Sequence, residues 1–586
     1  MPESRDSHVT RDRDLERVVR DALAPDGSAS SSVSDAVEAV VKGRGEASQL
    51  GQSAPFDAVL FDTDAIGRWV FESSRPPVVE GASTILRELN GKIARHYEHR
   101  LVFSAGGEGL LLAPAGEGEA IRREVERWFE RESAGGLSVT TVCRQVQAAD
   151  FVGEATAEPG VTNGVRLVTG TQAVLARLRD DARRIKDEQG HGGEVVDGSR
   201  KRCVSCRDRA GELPAERFRK EDLADQLLCR PCDRRWEVGR RRIEGVTFDE
   251  LTESFQDSLP DGVATAARSR YLGFLYADGN GMGAAFGRLG SLAGVRELSG
   301  AVDRVFRRVR ELVDRRLEEQ LGRWEGKAPR LEILGGGDET IWIAPGALAV
   351  DLALHLDGWL AEATAAEPAV AVCLGGDGAG RLSVGAGLVL AGVGLPVRYQ
   401  HDLAKRLQAS AKRLYYAAPE RATSAVDFEV ITDGEPLIDD LETARSATYG
   451  TREPGFSRTR RPYSSTGFAS LCERVRAAGE AGIGSSQLRG LLEGAEDGEA
   501  VFLNFVRYQV ARVTNAPAYT RWLARSGVDP GDRAALDGFF VGAVTANETG
   551  RGDTAEPRRG IWLADALELE PFLRLADRLG GRDAVA

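Results

Sequence analysis

The stretch LGGGDETIWIAP, residues 334–345, places three glycines and the acidic pair Asp338 and Glu339 between two apolar segments. Glycines between two such segments predict a tight hairpin. A second glycine-rich turn lies upstream in YLGFLYADGNGMG, residues 271–283, where an apolar run with strand propensity ends at Asp278. Carboxylates on two turns can share one divalent metal site, because Mg²⁺ binds a few carboxylates, waters and substrate phosphates. The alternative is two ordinary glycine turns whose acidic residues are solvated.

A long amphipathic helix is predicted between these two turns. From Val302 to Leu321, apolar residues recur at a spacing of three and four, with arginine and glutamate at the positions between them. The resulting order is strand, glycine loop, helix, strand, acidic hairpin and strand. This is the order of a palm domain, so the acidic pair is predicted to lie at one end of a sheet.

The pair ADGNGMG and GGGDE resembles the catalytic palm of the large subunit of type III CRISPR effector complexes, of the Cmr or Csm type. These palms are related to nucleotidyl and diguanylate cyclases. The resemblance implies a nucleotidyltransferase in which Asp278 and Asp338 bind Mg²⁺ or Mn²⁺ and Glu339 completes the catalytic group. The family usually has a second aspartate at the position of Glu339. Since adjacent strand residues point to opposite faces, we favour Asp338 as the ligand.

The substrate phosphates are expected on the glycine-rich turns and on a lysine. Glycines after Asp278 allow backbone amides to approach phosphate oxygens closely. The similarity to the family continues through residues 383–412, where its strand, proline turn and helix supply a lysine for the triphosphate. Lys412 matches that lysine, and Lys405, two turns earlier, is the second candidate. The expected nucleotide-binding residues are Gly279, Asn280, Gly281, Gly283, Gly336, Gly337 and Lys412.

An internal repeat starts at Phe56, where the same strand, helix and hairpin order recurs. The repeat aligns Asp62 with Asp278, Asp64 with Asn280, Gly67 with Gly283, and GGEGLLLAP with GGDETIWIAP, with one residue fewer. Bulkier residues replace the glycine and methionine of the phosphate loop, and the hairpin glycines are followed only by Glu108. We therefore expect a degenerate palm that supports the fold or holds a second nucleotide. A metal on Asp62, Asp64 and Glu108 is the less favoured alternative.

Four of the seven cysteines form two C-x-x-C pairs, Cys203 with Cys206 and Cys229 with Cys232. Two such pairs can complete a tetrahedron of thiolates around a structural Zn²⁺. A redox motif or chance clustering are the alternatives, but a redox motif does not need two copies. The family carries a zinc-binding insertion at this place between its palms. Basic residues flank the cysteines, so this region faces RNA or a neighbouring subunit, or is a solvated helix face.

These patterns predict an α+β protein with two ferredoxin-like, nucleotidyl cyclase-like palm domains, a zinc-binding insertion between them and a helical C-terminal domain. The predicted segments are a mostly flexible 1–54, a first palm at 55–165, a helical zinc-binding domain at 166–268, a catalytic palm at 269–435 and a helical domain at 436–586. In the last, the stretch RTRRPY, residues 458–463, is either RNA-facing or a charged loop.

The charge and the apolar content of the whole chain limit its expected location and its partners. A net charge of −13 argues against nonspecific coating of nucleic acid by the whole surface. No apolar stretch approaches the roughly 18 residues of a membrane span, and the N-terminus lacks a signal-peptide core, so a cytoplasmic protein without membrane contact is expected. The family often begins with a histidine–aspartate nuclease domain. Here the His-Asp doublet is His401–Asp402 and the N-terminal region is too short, so no such nuclease activity is expected.

The resemblance implies that the chain makes cyclic oligoadenylates from ATP. It would do so within a guide RNA-containing type III complex, when that complex binds target RNA. Two other functions stay open on the residues alone. One is a stand-alone nucleotide cyclase or cyclic dinucleotide synthase, which needs no RNA partner. The other is a catalytically inactive scaffold of the complex, against which the intact acidic pair and loop glycines argue.

Overall fold

The computed structural model describes residues 55–151, 156–159, 165–168, 170–189, 201–215, 226–242, 248, 252, 271–321, 330–374, 380–417, 423–432, 438, 440–512, 516–544 and 558–579. The segment 1–54, predicted to be flexible, lies outside the described residues. Helices and antiparallel sheets both contribute to the described chain, so the predicted α+β class is confirmed. Within the described residues, none of the helices combines the length and apolarity needed to cross a membrane.

The first sheet is built around a central strand with two helical crossovers. Its elements are β1 (Pro55–Thr63), α1 (Ile66–Phe71), α2 (Pro76–His96), β2 (Leu101–Ala105), β3 (Glu108–Pro114), α3 (Gly118–Glu132) and β4 (Val139–Gln147). The strand order is β2-β3-β1-β4 with antiparallel neighbours, which is a ferredoxin-like arrangement. In β1, Val59 and Phe61 pack in one core and Ala58 and Leu60 in another, because successive side chains point to opposite faces.

The segment after β4 covers the first sheet and then carries the cysteines. Its elements are β5 (Thr156–Pro159), β6 (Val165–Val168), α4 (Gly170–Gln189), β7 (Leu213–Pro214), β8 (Leu227–Leu228) and α5 (Arg230–Gly239). Helix α4 packs on β1 and β4, on the face opposite to α2 and α3. Helix α5 packs on α2 at very short range. A Cβ on Gly81 would lie 1.8 Å from the carbonyl oxygen of Arg235, so only glycine allows this approach.

The second sheet repeats the order of the first and extends it. Its elements are β9 (Tyr271–Gly279), α6 (Met282–Gly287), α7 (Leu292–Leu321), β10 (Leu331–Gly336), β11 (Glu339–Pro345), α8 (Gly346–Ala365), α9 (Pro368–Leu374), β12 (Val384–Gly392), α10 (Val397–Ala417), β13 (Ala425–Ile431) and the short β15 (Tyr463–Ser464). The strand order is β10-β11-β9-β12-β13-β15, in which the first four strands match the first sheet. The turn Gly394 to Pro396 returns the chain from β12 to α10, which packs back on β12 and β9.

The first sheet with its helices (β1 to α4) is called the first unit, and the second sheet with its helices (β9 to β13) is called the second unit. Each unit packs equivalent helices against the other. Helix α2 of the first unit packs against β10 of the second, and α7 of the second packs against β2 of the first. Helix α1 contacts α10, while α6 meets α4, where the Gln172 side-chain amide donates to the Phe286 carbonyl at 2.8 Å. Each contact in one direction thus has a counterpart in the other, which relates the units by approximate two-fold symmetry.

The remaining helices pack on α8 and on the edge of the second sheet. The elements are α11 (Leu441–Tyr449), β14 (Phe456–Ser457), α12 (Ser465–Glu480), α13 (Ser485–Glu493), α14 (Glu499–Ala511), α15 (Ala516–Arg525), α16 (Arg533–Phe540), β16 (Val541–Ala543), β17 (Arg559–Ile561) and α17 (Leu563–Leu579). Arg461 is fully buried and pairs with Glu429 on β13 and with Asp565 and Glu568 on α17. This arginine of the RTRRPY stretch therefore joins the second sheet to α17, whereas Arg458 and Arg460 of the same irregular segment are partly exposed.

We predict that Gly81→Ala detaches or distorts the cysteine-bearing segment, because the new methyl group would overlap the backbone of α5. Overpacking of this kind typically costs about 1–3 kcal/mol. The matched control is Gly91→Ala on the same helix, where the nearest atom is the mobile end of Arg95 at 3.2 Å. That variant should be neutral or gain up to about 1 kcal/mol. Both variants are compared by thermal unfolding and limited proteolysis. Equal Tm and equal protease sensitivity would contradict the close packing of α5 on Gly81.

Candidate active site

Three carboxylates lie together at one end of the second sheet. Asp278 is near the end of β9 and pairs in register with Glu339, the first residue of β11. Asp338 occupies the hairpin turn itself, and its carbonyl accepts a hydrogen bond from the Gly279 amide at 2.9 Å. A Cβ on Gly279 would lie 2.8 Å from Asp338 Oδ2, so glycine is required for the aspartate to lie here. The structure thus brings together Asp278, Asp338 and Glu339 as the sequence predicts.

Helix α10 brings a cation onto this group. Lys412 Nζ contacts Asp278 Oδ2 and donates to the Gly279 carbonyl at 2.8 Å. Gln408, one turn earlier, donates to the same carboxylate oxygen at 3.0 Å. The helix approaches this closely because Gly385 on β12 lacks a side chain, and a Cβ there would lie 2.5 Å from Lys412 Cγ. Lys412 is therefore in the predicted place, whereas Gln408 was missed although it lies four residues before that lysine.

Burial sets the protonation of the acidic group. Loss of solvent, and after it the nearby charge of Asp278, raise the pKa of Asp338 from 3.8 to about 6. Burial also raises the pKa of Glu339, against the hydrogen bond that the Tyr276 hydroxyl donates to it at 2.5 Å. That bond holds one Glu339 oxygen in place. Asp338, in the turn rather than in the strand, is the carboxylate whose charge is least compensated.

The loop after β9 uses part of its backbone for its own structure. The amide of Asn280 donates to the Ser383 carbonyl, and its side-chain amide donates to the Ser383 hydroxyl at 3.0 Å. Gly281 adopts a φ of +68°, in the left-handed region that favours glycine, and precedes α6. Gly283 has open space around its Cα. Predicted phosphate contacts therefore concentrate on the amides at the start of α6.

The backbone groups of the hairpin glycines are also partly used in contacts within the protein. Gly336 pairs with Glu339 across the hairpin, and Gly337 has a φ of +70°. The Gly337 amide donates to Asp303 Oδ1 on α7 at 3.0 Å. This bond ties the turn that carries Asp338 to the long helix beneath it. Of the two predicted nucleotide-binding glycines in the hairpin, Gly337 thus has its amide bound by the protein.

The first sheet carries an equivalent group that lacks a carboxylate in the hairpin turn. Asp62 pairs in register with Glu108, as Asp278 does with Glu339. The Thr63 amide donates to the Gly107 carbonyl, as the Gly279 amide does to that of Asp338. Glycine therefore occupies the place of the aspartate in the turn. The two turns are of equal length, Gly106–Gly107 and Gly337–Asp338, so the expected one-residue deletion is instead a substitution.

Each acidic residue of the first group is neutralised by α4. Lys186 Nζ lies 2.7 Å from Asp62 and 3.0 Å from Asp64, and Arg179 contacts Glu108 at 2.7 Å. Arg179 and Lys186 are seven residues apart on α4, as Lys405 and Lys412 are on α10. The sequence analysis found neither Arg179 nor Lys186, because it did not extend the repeat to α4.

The four cysteines form a separate, buried group that could hold a metal ion. The sulfur atoms of Cys203, Cys206, Cys229 and Cys232 all lie within 4.8 Å of one another. The fully buried Arg235 donates to Cys232 Sγ at 2.9 Å and also reaches Glu72 and the Trp69 carbonyl. A positive charge beside four sulfur atoms fits a thiolate cluster around a cation. Among the described residues, these cysteines are the group in which three or more candidate metal-ligand atoms lie within 4.8 Å of one another. The carboxylates of the acidic groups do not meet this distance.

Comparison with solved structures finds similar chains, whereas no family model and no curated protein matches. One similar structure is a Csm1-Csm4 cassette in complex with cA3, at 13% identity and TM-score 0.47, covering 90% of this chain and 69% of that chain. Another is a Csm1-Csm4 cassette with one ATP, at 15% identity and TM-score 0.46, covering 89% and 70%. A third is Csm1 in T. onnurineus, at 14% identity and TM-score 0.48, covering 90% and 71%. At this level the likeness assigns no residue a role.

The raised pKa of Asp338 predicts how the site affects stability. A carboxyl whose pKa is higher in the folded protein binds more protons there, so stability falls as pH rises from about 4 to about 6 and stays lower above. Asp338→Asn should therefore raise the Tm at pH 8 without divalent metal, and change it little at pH 4. Thermal scans at both values test this.

Added Mg²⁺ provides the control for that measurement. It should raise the Tm of the wild-type chain at pH 8 and leave that of Asp338→Asn unchanged, because the amide lacks the ligand charge. A lower Tm for Asp338→Asn in metal-free buffer at pH 8 would contradict a carboxylate whose pKa is raised in the folded protein.

Proposed function

We propose that the chain is a metal-dependent nucleotidyltransferase that makes cyclic oligoadenylates from ATP, with the second unit as its catalytic palm. The observation that carries the proposal is the convergence of Asp278, Asp338 and Lys412 at the end of β9, beside a glycine loop that leads into a helix. Carboxylates and a lysine at one point suit a triphosphate held with divalent cations. The choice of ATP and of a cyclic product rests on the sequence resemblance.

Within this site the protein groups divide the work. Asp278 and Asp338 would hold Mg²⁺ or Mn²⁺, which supplies charge stabilisation at the transferring phosphoryl group and lowers the pKa of the attacking hydroxyl. Lys412 neutralises phosphate oxygens as a point charge, at the expense of its contact with Asp278. Glu339, held by the Tyr276 hydroxyl, adds negative charge beside the turn. Gln408 keeps the Asp278 carboxylate oriented while the lysine moves.

The first unit is proposed as a palm-like partner without chemistry of its own. It lacks a counterpart of Asp338, and its carboxylates are paired with Lys186 and Arg179. Its packing against the second unit supports a role as structural support for the catalytic unit. The first palm is better extended beyond residue 165 to include α4, since that helix covers its sheet and supplies these cations.

We propose that the cysteine group holds a structural Zn²⁺. Four sulfur ligands suit zinc at a closed tetrahedral site. Because α5 carries Cys232 and packs backbone to backbone on α2, metal binding there also fixes this segment on the first unit. Of the predicted remainder of this domain, residues 243–268, most lie outside the described residues.

The chain is further proposed to act as the large subunit of a type III complex, with guide RNA, target RNA and neighbouring subunits as partners. A stand-alone cyclase with the same site would turn over ATP or GTP without RNA. An assay of the purified chain with and without the assembled, target-bound complex separates these two functions. A catalytically inactive scaffold would form no product in either case.

We predict that Asp278→Asn and Asp338→Asn each lower product formation from ATP and Mg²⁺ by roughly a hundredfold or more, since each removes charge at the transferring group. Asp62→Asn is the matched control, because it alters the equivalent position of the first unit. It should retain metal-dependent activity, with at most a raised ATP requirement. Product quantified by ion-exchange chromatography is the measurement. Equal and complete loss from Asp62→Asn and Asp278→Asn in folded protein would mean that both units are catalytic.

We predict one Zn²⁺ per chain in protein purified without chelator, lost in Cys229→Ser together with a lower Tm. Cys143→Ser is the control, because that thiol lies outside the group and should leave the metal content unchanged. Elemental analysis is the readout. Absence of zinc, or iron in its place, would contradict the assignment.

A further inference from the structure

The last turn of α10 lies directly on the loop that follows β9. A Cβ on Gly281 would lie 2.3 Å from the hydroxyl oxygen of Tyr415, so that tyrosine packs against the glycine backbone. Lys412, three residues earlier, is on Asp278 and Gly279. The C-terminal end of this helix therefore runs alongside the loop from the acidic group outward.

Tyr416 follows at this end and is 65% exposed. Its ring lies 5.5 Å from that of Tyr415 at an interplanar angle of 72°, an edge-to-face pair that restricts its orientation. Lys412 and Tyr416 are four residues apart on one helix, so they lie on the same face, one turn from each other. An exposed aromatic ring thus stands one turn beyond the lysine proposed to bind phosphate.

We propose that Tyr416 stacks on the base of the nucleotide whose phosphates bind at Lys412 and the loop after β9. The inference rests on the proposed function and adds the group that receives the base. Phosphates at Lys412 leave the nucleoside to extend along the helix face, where the exposed ring offers an apolar plane. Tyr415 fixes the position of that ring by packing on Gly281.

Stacking on an aromatic ring does not distinguish one base from another, because every base has a π-face. Tyr416 therefore contributes affinity for the nucleoside without selecting adenine. Selection among bases has to come from groups that hydrogen-bond the base edge. The expected loss on removing the ring is the same for ATP and for GTP.

The test measures binding of ATP, GTP and inorganic tripolyphosphate to the full chain by titration calorimetry in Mg²⁺ buffer. Tyr416→Ala should weaken ATP and GTP by about fivefold or more, which corresponds to the lower range of base–aromatic stacking, and leave tripolyphosphate unchanged. Tyr416→Phe should bind like the wild type, since the ring is kept. Tyr508→Ala is the matched control, because Tyr508 is a similarly exposed tyrosine at 58% on α14, outside the site.

The outcomes separate the two proposals. Wild-type affinity for ATP in Tyr416→Ala overturns the stacking inference and leaves the proposed function intact. A loss of tripolyphosphate together with ATP assigns Tyr416 to the phosphate loop and likewise overturns stacking. A wild-type chain that binds neither ATP nor tripolyphosphate overturns the proposed function, and the inference with it.

Discussion

Partly buried carboxylates at the end of a strand repel one another, and both units are arranged around this one constraint. In each unit a helix packed on the acid-bearing face returns a lysine to the aspartate of the central strand, Lys412 to Asp278 and Lys186 to Asp62. Desolvation costs energy for every charge taken from water, so the pairing has to be close and complete. This requirement accounts for the position of the helix, for the glycines that let it approach and for the identity of the turn residue.

Every carboxylate of the first group is in an ion pair, which does not hold for the second group. Lys186 is shared by Asp62 and Asp64, and Arg179 contacts Glu108, whereas Asp338 lies beside Asp278 with a raised pKa. A buried carboxylate that is short of positive charge is a place where an added cation is favourable. The difference arises from one residue in the hairpin turn, where glycine in the first unit corresponds to aspartate in the second.

Much of the site was predictable from local sequence, because its parts are turns, strands and one helix with strong periodicity. The acidic pair, the loop glycines and the cysteine pairs were found in this way, whereas Lys412 was predicted from the resemblance to the family. What escaped prediction depends on contacts between distant segments. Gln408 and Tyr276 act through partners that only the packing of α10 and β11 brings near. Lys186 and Arg179 lie on a helix that the repeat did not include, and Arg461 is buried by a helix about a hundred residues later in the chain, at Asp565.

Carrying both units in one chain has a consequence that a pair of identical subunits would not allow. In a symmetric homodimer every substitution appears twice, so neither site can lose a ligand without the other losing it too. Covalent linkage removes that restriction, because selection can then act on each half of the chain separately. The glycine at position 107 and the aspartate at position 338 are such a divergence: one position, two residues, within a shared framework. A fused, pseudo-symmetric protein of this kind can keep one half as a rigid template while the other evolves its chemistry.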